Sequence, residues 1–167
     1  MGLEHNFLFI SSDEYCDEIW MRIRHHPLRI DNNIFSELNY VDIHDDFINY
    51  FNDFFKWIEM YNPSKKEKIY GLCHYGVTVI KNENLKKMAK IIDSIISLFE
   101  NSPKIMELTG MYTSFVEDII DEKEILTDGH YEIMKIRKDK FMKKIIKLKN
   151  IVKKTIEENG YIIHLGI

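Results

Sequence analysis

The sequence predicts one α+β domain over residues 1–167, a mostly antiparallel sheet with helices packed on one face. Three observations predict it. Strand-like and helix-like segments alternate from residue 69 to the C-terminus, two long segments there repeat apolar residues at three- and four-residue steps, and no Pro- or Gly-rich linker divides the chain. Length and composition agree. A chain of 167 residues buries roughly 70% of its unfolded surface, enough to hold a core without metal or disulfide, and 45% apolar with 13% aromatic residues excludes a disordered segment.

Phe7 to Ser11 reads as a short strand, and Ser11 with Glu14 fits a capping box that starts a helix near Ser12 and fails by Pro27. Residues 30–41 read as irregular. From Asp42 the period becomes helical, with Phe47, Phe51, Phe54, Phe55 and Ile58 on one stripe until Asn62-Pro63-Ser64 stops it. Ile69 to Ile80 is β-branched and aromatic and reads as a strand. Asn82 or Asn84 then caps a helix with the stripe Leu85, Met88, Ile92, Ile95, Ile96 and Phe99. Lys104 to Tyr112 reads as a strand, residues 113–127 as an acidic connector, and Tyr131 to Arg137 as a strand introduced by the Asp128-Gly129 turn. Asp139 to Glu158 carries Phe141, Ile145, Leu148, Val152 and Ile156 on one stripe, closed by Asn159-Gly160, and Tyr161 to Ile167 is the final strand. Residues 69–167 thus follow the split βαβ, or ferredoxin-like, order, with an N-terminal strand and helices added around it.

The net charge of −4 is uneven: residues 1–64 hold 4 Arg/Lys against 12 Asp/Glu, a net −8. That half is the part suited to a basic partner. Cys16 and Cys73 form no Cys-x-x-Cys pair, which fits reduced thiols in a cytoplasmic protein rather than a disulfide framework. No basic signal region opens the chain and no uncharged apolar run reaches 18 residues, so neither secretion nor membrane insertion is expected. Gly-rich phosphate loops and nucleophile elbows are absent as well, and no cofactor is expected.

Four groups of residues bear on function. Asp46, Tyr50, Asp53 and Trp57 fall along one flank of the helix that starts near Asp42. Aromatic anchors among carboxylates suit an interface with a basic protein; in the plainer reading Tyr50 and Trp57 widen the core stripe while the aspartates face water. His74 and His164 sit beside Gly76 and Gly166 on strands expected to be neighbours, where two imidazoles approach each other. Without a third ligand in reach they read as structural, metal-free histidines. Lys140, Lys143, Lys147 and Lys154 form a basic stripe on the last helix, but it lacks interleaved aromatics, so it reads as a solvated face and not a nucleic-acid surface. Finally, His44-Asp45 with His25-His26 upstream is similar to the ligand sets of HD-type metal phosphohydrolases, and implies a divalent ion on His25, His44 and Asp45 as the alternative, enzymatic reading.

The stretch Tyr75-Gly76-Val77-Thr78-Val79-Ile80, the tripeptide Leu108-Thr109-Gly110 and the closing Tyr161-Ile162-Ile163-His164-Leu165-Gly166-Ile167 resemble immunity proteins of bacterial polymorphic-toxin and contact-dependent inhibition systems. The resemblance implies a cytoplasmic, non-enzymatic protein that binds a cognate toxin domain and blocks it. Many such toxins are basic nucleases, which an acidic surface would attract. It assigns no individual residue and no oligomeric state.

Overall fold

The computed structural model describes residues 4–25, 39–114, 116–120, 123–126 and 129–167. Its main sheet has six strands, all paired antiparallel. In chain order these are β1 (Glu4–Ile10), β2 (Tyr40–His44), β3 (Glu59–Asn62), β4 (Glu67–Tyr70), β5 (Val77–Lys81) and, at the C-terminus, β10 (Tyr161–Leu165). They lie in the order β2-β1-β10-β5-β3-β4. The helices are α1 (Ile19–His25), α2 (Asp45–Phe55), α3 (Glu83–Glu100) and α4 (Lys138–Glu157). Two further hairpins, β6 (Ile105–Thr113) with β9 (His130–Arg137) and β7 (Val116–Ile120) with β8 (Lys123–Leu126), stand apart from the main sheet.

Strand alternation sorts the apolar residues into two layers. Phe7 and Phe9 of β1, Val41 and Ile43 of β2, Ile80 of β5 and Ile162 of β10 face the large core, against Ile48, Phe51 and Phe55 of α2, Leu85, Met88 and Ile92 of α3 and Phe141, Leu148 and Val152 of α4. Leu8, Ile10, Val77, Val79 and Ile163 point the other way and are covered by Ile19 and Ile23 of α1. The two long helices therefore share one face, as their stripes predict, and α1 takes the opposite face.

Several local expectations are corrected. Ser11 Oγ does donate to Glu14 at 2.8 Å, but the capping-box contact closes only a turn, and the helix begins at Ile19. Residues 40–44 are a strand, because Val41 and Ile43 are buried while Tyr40, Asp42 and His44 between them are half-buried, a period of two that precedes the helical one. The helix from residue 45 ends at Phe55, and Glu59–Asn62 pairs with Glu67–Tyr70 as a hairpin. Asn62-Pro63-Ser64 is its turn: the Asn62 side-chain oxygen accepts from the backbone N–H groups of Ser64 and Lys65 at 3.0 and 3.1 Å. Residues 69–80 are not one strand; residues 71–76 form a loop that starts at Gly71 with φ of +84°.

The split βαβ order is realised in its outer pair only. β5 and β10 are antiparallel neighbours as expected, but the place beside β5 is taken by β3, not β9. The pattern of β9 explains this. Tyr131 and Ile133 are exposed and only Met134 and Ile136 are even half-buried, so the strand lacks the two apolar faces that a central position demands. The connector at 113–127 contains β7 and β8, a hairpin that its acidic composition concealed. Residues 26–38, which include most of the stretch read as irregular, lie outside the described residues.

Candidate functional site

Strand pairing places a row of polar side chains under the N-terminus of α2. In β1, His5 shares the large-core face with Phe7 and Phe9, and Phe7 is opposite His164 of β10. His5 and His164 are therefore diagonal neighbours on one face. Their rings stack at 5.0 Å between centroids, with His5 Nδ1 2.8 Å from His164 Nε2. Asp45, the first residue of α2, turns inward, and its Oδ1 lies 2.8 Å from His5 Nε2 and 3.3 Å from His74 Nε2. Asn49, one turn later, donates to the other carboxylate oxygen at 2.9 Å.

His74 is on the 71–76 loop, not on a strand, and backbone hydrogen bonds fix it. Gly166 N donates to Gly76 O at 2.7 Å and Ile167 N donates to His74 O at 2.9 Å, while Cys73 N donates to Thr78 Oγ1 at 2.8 Å. Gly166 is required here: a Cβ at that position would run into the carbonyl oxygens of His74 and Cys73. Of the two glycines beside the histidines in the sequence, Gly166 thus matters through the backbone approach it permits, whereas a side chain at Gly76 would meet only ordinary contact with Cys73.

The cluster is graded in exposure. The His5 side chain is fully buried, Asp45 is 10% exposed and His74 28%, so solvent reaches the group from the His74 side. His164 is fully buried. Burial, with His5 and His74 as neighbours, holds its imidazole well below the ordinary histidine range. Burial also lowers His5, outweighing the hydrogen bond and charge of Asp45, which act in the opposite direction. Neutral rings fix the proton positions. The Asp45 carboxylate only accepts, so His5 Nε2 carries the hydrogen, His5 Nδ1 is left as acceptor, and His164 Nε2–H donates to it. His164 Nδ1, which has no partner, is then a bare lone pair, a cheaper orphan than a buried N–H donor.

The histidine pair noticed in the sequence is thereby joined through His5 and Asp45, two residues that local spacing does not connect to them. The expectation that no carboxylate lies in reach of His74 is overturned: the helix start brings one. Of the set His25, His44 and Asp45, the last two turn to different partners. His44 caps α2, its Nδ1 accepting from Asp46 N–H at 3.3 Å, and lies 3.1 Å from the Asp46 carboxylate. His25 ends α1, on the other side of the sheet from α2.

Around the corner of the same helix lies the second candidate surface. Tyr50 is 46% and Trp57 67% exposed, so neither widens the core stripe. Asp53 is exposed and pairs with Lys56 at 2.7 Å. Asp46 is partly exposed. Phe54, Trp57, Ile91 and Leu98 line an apolar groove of about 500 Å³ between α2 and α3, with Lys87 and Lys90 on its rim. Among the described residues, part of the −8 of the N-terminal half is neutralised by pairing within the chain. Asp42 and Glu4 meet Lys144 of α4, and Glu59 meets Lys68. Likewise Lys154 of the basic stripe is tied down, donating to Asn39 at 2.7 Å and lying over the Phe9 ring.

No family model, curated protein or solved structure matches the chain. Among the described residues, no helix is long and apolar enough to cross a membrane.

Proposed function

We propose that this protein is a non-enzymatic binding protein that neutralises a cognate bacterial toxin domain in the cytoplasm, in the manner of an immunity protein. One observation carries the reading: Phe54, Trp57 and Leu98 stand exposed together at 41%, 67% and 67%, around an apolar groove on the outer side of two adjacent helices, with the exposed Tyr50 one turn along α2 from Phe54. Large apolar side chains clustered on a surface mark a place where another protein docks, and Trp and Tyr are the residues that most often dominate such interfaces. Asp46 and Asp53 on the same flank favour a partner with basic groups at the rim. Because Asp53 already has Lys56 and many other carboxylates are paired within the chain, the aromatic cluster contributes the affinity and charge tunes the encounter.

The test is co-expression with any toxin domain that the genes flanking this one encode. Rescue of growth, together with a stoichiometric complex of the two purified chains, supports the reading. A domain that arrests growth equally with and without this protein, and forms no complex, refutes it.

A further inference from the structure

We propose that His5, Asp45 and His74 form a divalent transition-metal site, with Zn2+ as the ion their donor set suits best. The three residues each offer one donor atom, all within 4.8 Å of one another. At metal–ligand bonds of about 2.0–2.1 Å, donors in a tetrahedral shell sit roughly 3.3 Å apart. Asp45 Oδ1 to His74 Nε2 is 3.3 Å and Asp45 Oδ1 to His5 Nε2 is 2.8 Å, and no donor pair is more than 4.8 Å apart, so closing the partly exposed His74 ring by at most about 1.5 Å admits the ion. Two imidazoles and one carboxylate are the donors of three-ligand zinc sites that leave a fourth position open. The gradient of burial gives that position a direction. His5 closes the inner side, while the partly exposed His74 leaves the outer side to water or to a partner's side chain.

The surroundings are those of a held ligand set. His5 presents Nε2 because its Nδ1 is engaged by His164, and Asp45 presents Oδ1 because Asn49 holds Oδ2. Such outer partners orient metal ligands. His74 is positioned by the bonds of its own main chain to the C-terminal segment. Four separate elements, β1, α2, the 71–76 loop and β10, thus converge on one point.

Metal binding has a definite proton requirement. His5 must give up the hydrogen on Nε2 and carry one on Nδ1, which then donates to His164 Nε2. His164 moves its own hydrogen to Nδ1, the atom without a partner. A buried N–H donor replaces a buried lone pair, which weakens binding about tenfold to a hundredfold. Zinc sites of this donor type bind tightly enough to absorb such a factor and still fill at micromolar ion.

The experiment uses the full chain, stripped with a chelator and titrated with Co2+ read by its visible absorption, then with Zn2+ by calorimetry. One equivalent should bind, with the absorption of a four- or five-coordinate cobalt site, and Zn2+ should raise the melting temperature. His74→Ala, at a partly exposed loop position that leaves the fold intact, should weaken binding at least tenfold and abolish the thermal shift. His130→Ala, on the separate β6-β9 hairpin, should change neither. Absence of a one-equivalent site in the wild type, or equal affinity in wild type and His74→Ala, overturns the assignment.

Discussion

Acid should destabilise this fold earlier than its carboxylates alone require, because His164 is buried neutral. The perturbation is pH, applied to chelator-treated protein. The His164 imidazole is held well below its ordinary value by burial and by its histidine neighbours. A histidine with a lowered folded pKa binds more protons unfolded, so its contribution is complete above about pH 6.5 and is lost as pH falls from there toward the folded pKa. Each pH unit over which the folded ring stays neutral while the unfolded one is protonated removes up to about 1.4 kcal/mol, a substantial part of the 5–15 kcal/mol typical of a domain. His5, lowered in the same direction, steepens the decline. Urea denaturation across this range measures it, and His164→Leu isolates the residue. The variant should start roughly 1–3 kcal/mol less stable, since His5 Nδ1 loses its donor, but lose less stability than wild type on acidification. Equal slopes for both proteins would show that His164 is not the group being protonated.

Three further outcomes follow from packing and close approach. Gly166→Ala forces the 71–76 loop off the C-terminal strand, at a cost of about 1–3 kcal/mol in urea denaturation; the same stability as wild type would mean the loop relaxes freely. Leu148→Ala, at a fully buried site of α4, should cost roughly 2–5 kcal/mol through transfer and cavity. Leu98→Ala, two-thirds exposed on α3, should cost under about 1 kcal/mol, and a loss matching that of Leu148→Ala would put the groove inside the core.

How much of this was legible in the sequence depended on the range of the signal. The stripes of α3 and α4 run for several turns and fixed both helices within a residue or two, down to the close at Asn159, whose φ of 50° takes the cap position expected around Asn159-Gly160. Gly160 serves instead where a Cβ would lie 2.6 Å from Ile10 O. Short strands against helices were not legible: Val41 and Ile43 offer two alternating positions, and Met60 with Asn62 another two, too few to outweigh the phenylalanine stripe beside them. The placement of β9 depends on what else competes for the edge of β5, which no local pattern encodes. At the site, Gly166 near His164 gave a true signal. His5 was missed although it stands two residues before Phe7, in step with the buried alternation Phe7, Phe9. An imidazole at that step was the available clue. Asp45 was noticed for its neighbour His44, whereas helix geometry turns the two side chains to different partners.

The most direct measurement for the proposed role is the affinity of wild-type and Trp57→Ala protein for the toxin domain that the co-expression test identifies, by titration at two salt concentrations. Trp57, exposed beside Phe54 at the groove, should lose about 2 kcal/mol or more of binding when truncated, the threshold of an interface hot spot. Charge reversal at Asp46 and Asp53 should slow association at low salt and lose its effect as salt rises, since exposed charges are screened beyond about 8 Å at physiological ionic strength. An unchanged affinity for Trp57→Ala, with association indifferent to salt, would contradict the account and place the binding surface away from α2.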